Sequence, residues 1–198
     1  TSLLISTGCI SKAKYDLLNV QYEEEASENE RLKAELRRKE KAAQARIDTY
    51  QQLIRELKPL IDKKVLAVEV VDGRASINMT ADILFAPGSA DLSDDGRKTV
   101  SQVAKVLGKR SDRDFQVQGH TDSDPISTEA FPSNWHLGAA RAINVTRTML
   151  QAGMPKGRIS AATFGPTKPV KSNQSADEKA QNRRIEIVLL PDLTDLPG

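Results

Sequence analysis

One cysteine, Cys9, stands in 198 residues, so no disulfide can close within the chain and no all-cysteine metal site can form. Aromatic side chains are as sparse, with four Phe, three Tyr and one Trp. They do not interleave with a basic face, which removes the stacking platforms that single-stranded nucleic acid requires. Charge of one sign is also missing. The 29 Lys and Arg are intermixed with 27 Asp and Glu for a formal charge of +2, too little field to hold a polyanion, and no nucleic-acid partner is expected. No stretch approaches the ~18 consecutive apolar residues of a membrane-spanning helix. The GxSxG elbow, the HExxH pair and a cysteine in a nucleophile context are all lacking, and no catalytic residue, metal or other cofactor is expected.

What stands at the beginning is TSLLISTGCI, a short apolar run and then small residues directly before Cys9, as in the tail of a secretory signal. Residues 1–11 resemble the bacterial lipobox, in which the cysteine is lipidated. Leu is usual three residues before that cysteine, and Ser6 stands there. The alternative is a free thiol in a frayed terminus. Ile10 rather than Asp after the cysteine resembles the pattern sorted to the outer membrane, so lipidated Cys9 would be the anchor.

Residues 12–60 read as a long helical stalk. Glycine and proline are absent from Lys12 to Lys58, and Glu, Lys, Arg, Ala, Leu and Gln dominate, the residues that lose least on entering a helix. With Tyr15 at position a, a heptad seam runs through Leu18, Tyr22, Leu32, Leu36, Tyr50, Leu53, Leu57 and Leu60, broken by Glu25, Asn29, Lys39 and Arg46. A weak homo-oligomer would be firmest from Tyr50 to Ile61, where Ile54 and Ile61 widen the stripe. A solvated single helix is the alternative. Pro59 biases Lys58 away from helical geometry and marks the end.

Residues 61–191 read as a globular domain, with 192–198 a tail. Alternation on both sides of Asp72-Gly73 predicts a hairpin. A helix follows from about Ser93 to Gly108, capped by Ser93 with Asp94 and Asp95 in its first turn. Then come the strand DFQVQGH and a second helix from about Ser133 to Gly153, with Leu137, Ala140, Ile143, Asn144, Val145 and Leu150 facing inward. The strands RISAATF and RRIEIVLL close the chain. Strands alternating with helices predict an α/β two-layer sandwich, a mixed sheet with helices on one face.

In QVQGHTDSDPI, His120, Asp122 and Asp124 alternate, and a metal site is one reading. Pro125 argues that the strand has ended by Asp122, which dissolves the shared side. Arg141, with Asn134 and Leu137 at helical spacing, gives another reading. An anion at a strand end and a cation two turns into the next helix could hold a zwitterion, the carboxylate accepting from an ammonium and the guanidinium gripping a carboxylate. Equally, Asp122 and Arg141 could simply bridge each other.

The runs FAPGSADLSDDG, GHTDSDPI, FPSNWHLGAARAINVTRTML, GMPKGRISAATFG and AQNRRIEIVLLP, in that order from Val65 to Pro191, resemble the OmpA-like peptidoglycan-binding domain of the OmpA/MotB/Pal family. FPSNW resembles the MotB branch and LGAARA the Pal branch, with Gly138 where many relatives have Ser. The resemblance implies a non-catalytic domain that holds the meso-diaminopimelate of the peptidoglycan stem peptide through Asp122 and Arg141. Asn134, Asn182, Arg183 and Arg184 would lie beside the pocket, and Thr121 and Leu137 would each offer a backbone amide. A lipoprotein at the periplasmic face of a Gram-negative outer membrane follows, tethered to the wall. A flagellar stator component and a metal-dependent wall hydrolase are the alternatives.

Overall fold

The uninterrupted run of helix formers becomes α1, Lys12–Asp62, in a computed structural model that describes residues 11–71, 73–110 and 113–190. Cys9, its flanking residues and the tail 192–198 lie outside the described residues. The chain divides into two units, one through Thr49 and one from Tyr50.

In the first unit every described residue up to Asp48 is exposed. Ion pairs one turn apart, Glu28 with Arg31, Glu30 with Lys33 and Glu35 with Lys39, lie along the helix. Tyr15, Leu18, Tyr22, Leu32 and Leu36 form an uncovered row.

The second unit begins within α1, earlier than the expected Ile61. Leu53, Leu57 and Leu60, spaced four and three apart, are buried in the core of this unit, and the Tyr50 hydroxyl donates to the carbonyl of Val68 at 3.2 Å. The helix also runs through Pro59 to Asp62. A proline so near the end removes one helical hydrogen bond, at about 3 kcal/mol. Burying Leu57 and Leu60 on either side of it recovers roughly 1.5–3 kcal/mol each. Lys64, at φ 56°, then reverses the chain. The Lys64 amide donates to Ile61 and the Val65 amide to Leu60, the paired bonds that satisfy orphan carbonyls at a helix end.

Next come β1 (Ala67–Val71), β2 (Arg74–Thr80), the single turn α2 (Ala81–Leu84), α3 (Asp94–Leu107), β3 (Phe115–His120), α4 (Asn134–Gln151), β4 (Ile159–Gly165), α5 (Ala176–Asn182) and β5 (Arg184–Leu189). Val71 pairs with Arg74, and Gly73 sits at φ +72°, the left-handed conformation a two-residue hairpin loop needs. Strand order is β1-β2-β5-β3-β4. Among the described residues only β3 and β4 run parallel, because α4 crosses over between them; the other pairs are antiparallel.

Alternation divides the sheet into two faces. Ile77, Met79, Phe115, Val117, Ile185 and Ile187 meet the helices in the core, with Val100, Val103, Ala104 and Leu107 from α3. The Ser93 hydroxyl caps α3 by accepting the Gly96 amide at 3.0 Å. At α4 two expectations change. The buried face is Leu137, Gly138, Arg141, Ala142, Val145, Thr148 and Met149, while Ile143 is exposed. The stripe is rotated because α4 lies against β3 on its glycine, where a Cβ added to Gly119 would come within 2.1 Å of the Gly138 carbonyl oxygen. Ser133 occupies the N-cap position, but its hydroxyl meets His136 Nδ1 at 2.8 Å and caps no amide.

Candidate functional site

The strand β3 ends at His120, and the next two residues turn away from it under the start of α4. The Thr121 amide donates to the Gly165 carbonyl at 3.0 Å, and the Thr121 hydroxyl to the carbonyl of Asp122 at 2.9 Å. Asp122 is thereby fixed at the sheet end and is buried. Its Oδ1 accepts the Asp124 amide at 3.2 Å, the local turn expected of an acid ahead of Pro125.

Arg141, two turns into α4, faces the same region. Its Nε donates to the carbonyl of Ser89 at 2.9 Å and its guanidinium lies 5.0 Å from the centroid of Phe85, cation over ring. Burial lowers its pKa, offset by the nearby Asp82 and Asp122 carboxylates, yet a guanidinium keeps its charge in proteins. Nη1 is buried without a partner among the described residues. Asp122 and Arg141 thus share a region but form no ion pair. The bridge that the sequence left open is replaced by another: Arg183 Nη1 donates to Asp122 Oδ2 at 2.8 Å.

Arg183 also grips Asp82 bidentately, Nε to Oδ1 at 3.2 Å and Nη2 to Oδ2 at 2.7 Å. Both carboxylates, Asp82 first, raise its pKa further. Asp82, Phe85 and Ser89 were invisible as site residues in the sequence. Asp82 and Arg183 are 101 positions apart, and only the pairing of β2 with β5 brings α2 against Arg183, where the Ala81 amide donates to the Arg183 carbonyl.

Other anticipated residues serve elsewhere. Asn134 donates to the carbonyl of Asp124 at 2.8 Å and more weakly to that of Asp122 at 3.4 Å, holding the loop to the helix start. The Leu137 amide is engaged with the Ser133 carbonyl, and that of Thr121 with Gly165, so neither is a free donor as expected. Asn182 accepts the amides of Val170 and Lys171 and donates to the Lys171 carbonyl; fully buried, it staples the loop before α5. Arg184 lies on the other sheet face, donating to Glu186, to the Asn182 carbonyl and to the Lys168 carbonyl. Of the NRR run only Arg183 reaches Asp122.

The three alternating residues also separate. His120 pairs across from Arg184 on that other face, stacks on Phe164 at 5.3 Å and has its pKa lowered to about 3, by burial first and then by Arg184 and Lys168. Asp124 binds Lys179 at 2.7 Å. Among the described residues no three His, Cys, Asp or Glu side chains gather as a metal site.

This arrangement defines a class: a two-layer α/β domain with a charged cluster at one end of its sheet, where buried Arg141 and buried Asp122 influence each other electrostatically without forming an ion pair. Residues 84–183 match the model of the OmpA family, and the chain belongs to that family. A solved structure of the cell wall anchor of the T6SS from Pseudomonas aeruginosa is 35% identical, with a TM-score of 0.65 over 71% of this chain and 97% of that one. Motility protein B of Bacillus subtilis is 31% identical over 134 residues, 66% of this chain and 51% of that protein. Outer-membrane lipoprotein YfiB of Pseudomonas aeruginosa is 29% identical over 121 residues, 61% of this chain and 70% of that protein. The chain spans about half the length of the first curated relatives it matches.

Proposed function

We propose that this chain is a non-catalytic binding protein of the bacterial envelope, which holds peptidoglycan through the meso-diaminopimelate of the stem peptide and tethers the outer membrane to the wall. The observation that carries the reading is Arg141, 5% exposed and with Nη1 unpartnered, near the buried carboxylate of Asp122. A buried guanidinium with a free edge favours a carboxylate, and the neighbouring aspartate favours an ammonium. The D-centre of diaminopimelate in the stem carries both groups on one carbon. Asn134 and Thr121 hold Asp122 in place rather than touch the ligand, and Leu137 walls the cleft.

Sedimentation with purified sacculi tests this reading. Asp122→Ala and Arg141→Lys are expected to lose the pull-down while keeping the parent's circular dichroism, and retention of both variants at the parent's level refutes the clamp. The family likeness to a cell wall anchor and an outer-membrane lipoprotein supports an envelope location, with lipidated Cys9 as the anchor. Cys9→Ser is expected to move the protein from the membrane fraction to the soluble periplasm; unchanged partitioning discards the anchor. The match to Motility protein B supports a second reading, a stator's wall contact, and loss of motility rather than envelope integrity on deletion would favour it.

Self-association through α1 changes its place. Tyr50 to Ile61 was the firmest stretch of the seam in sequence, but its leucines are used by the core, so pairing rests on Tyr15, Leu18, Tyr22, Leu32 and Leu36. In a parallel pair Asn29 occupies an a layer and Glu28 faces the partner's Lys33. Leu36→Asp is expected to abolish concentration-dependent mass in sedimentation equilibrium; a parent that is monomeric throughout rules the pairing out.

A further inference from the structure

The clamp reading uses Asp122 and Arg141 and leaves Arg183 and Asp82 without a task. Both oxygens of Asp122 are engaged, Oδ1 by the Asp124 amide and Oδ2 by Arg183 Nη1 at 2.8 Å, whereas Arg141 Nη1 has no partner. The cluster is therefore asymmetric: the buried Arg141 Nη1 lacks a partner, whereas Asp122 is held by a cation of the chain's own. Arg183 holds Asp82 through Nε and Nη2, the edge of the guanidinium not used on Asp122. Breaking the single bond to Asp122 leaves a bidentate pair intact. The Arg183 and Asp82 side chains are 30% and 55% exposed, so water reaches the pair and a shift of Arg183 away from Asp122 strands no buried charge.

We propose that Arg183 is an internal competitor for Asp122, parked by Asp82, and that a ligand ammonium enters the cleft by taking Asp122 Oδ2 from Arg183 Nη1. This inference rests on the diaminopimelate reading above. Asp82 then acts as a positioning residue that never touches the ligand. Its carboxylate sets how strongly Arg183 leans on Asp122, and so how much of the ligand's binding free energy is used to displace it. Removing Arg183 opens the anionic half. Removing Asp82 alone hands Arg183 wholly to Asp122 and closes that half further. Arg141 keeps its contacts with Ser89 and Phe85 in either variant, and the direct field of Asp82 and Arg183 on it is read separately with a ligand that lacks the ammonium.

Calorimetric titration of the full chain tests this with two peptides. One is L-Ala-γ-D-Glu-meso-diaminopimelate; the other ends in 2-aminopimelate, which keeps the terminal carboxylate and lacks the ammonium. Arg183→Gln is expected to bind the first about fivefold more tightly and Asp82→Asn about threefold more weakly, modest factors because the pair is solvent-screened. Referred to the second peptide, which carries any direct effect of Asp82 on Arg141, the double variant should match Arg183→Gln, since Asp82 acts on the ammonium through Arg183. With the second peptide the gain should vanish. A structural role alone would move melting temperature without this dependence on the ammonium. Weaker or unchanged binding by Arg183→Gln, or additive effects in the double variant, overturns the competitor while leaving the clamp standing. A parent that binds neither peptide overturns both.

Discussion

Two charged clusters flank the adjoining ends of β3 and β5, one beneath α4 and one on the face α4 leaves uncovered, and residues one or two positions apart in sequence are divided between them. Asp122 and Arg183 belong to the first, His120 and Arg184 to the second. In the second, Arg184 is closed off by Glu186 and two backbone carbonyls, and His120 is stacked and buried. In the first, Arg141 Nη1 is buried without a partner and a half-buried arginine, Arg183, sits on the carboxylate. Among the described residues, unpartnered nitrogens occur in both, Arg141 Nη1 in the first cluster and both ring nitrogens of His120 in the second. Charge separates them, since the guanidinium stays a cation whereas burial keeps the His120 imidazole neutral.

That contrast can be broken from its closed side first. Arg184→Ala leaves the buried Glu186 facing only the neutral His120 imidazole, 3.7 Å away, and is expected to cost about 3–5 kcal/mol of stability, read as a large drop in the urea midpoint; a change within error would mean the second cluster is not structural. The next effect is a pH dependence. The ordinary His value is 6.5 and folding lowers that of His120 to about 3. Between those values the unfolded chain binds a proton that the folded chain refuses, so stability is full above pH 6.5 and falls as pH drops toward 3. The slope from this group reaches at most about 1.4 kcal/mol per pH unit. His120→Gln should flatten urea-midpoint curves over that window, and an unchanged slope would discard the buried neutral imidazole. Smallest is the effect of Asp122→Ala on stability. Arg183 keeps Asp82, so about 1 kcal/mol is expected although wall binding is lost; a loss as large as that of Arg184→Ala would erase the distinction between the clusters.

Much of the fold was legible because period and punctuation are local. The Ser93 cap, the Asp72-Gly73 reversal and the strand alternation at Phe115, Val117, Ile185 and Ile187 each depend on a few neighbouring residues. The rotated face of α4 was not legible. Ile143 and Val145 are equally apolar, and the Gly119 to Gly138 approach chose between them. Pro59 misled for a similar reason, since its local bias was outweighed by leucines that find their partners in distant strands.

For the site the division runs between residue and role. Asp122 and Arg141 could be named as a pair from a strand-end acid and a helical arginine, because both positions follow from secondary structure. Their relation could not, since a pair that bridges and a pair held apart have the same spelling. The chain alone settled the helix formers of α1, the turn chemistry and the family motifs, all of which act over a few residues. Packing decided that Leu53, Leu57 and Leu60 serve the core rather than a stalk. It also set Arg183 on Asp122 and Arg184 on the opposite sheet face, and brought Asp82 across 101 positions to hold Arg183. Charge interactions of this kind depend on distance and desolvation, and neither exists until the sheet has formed.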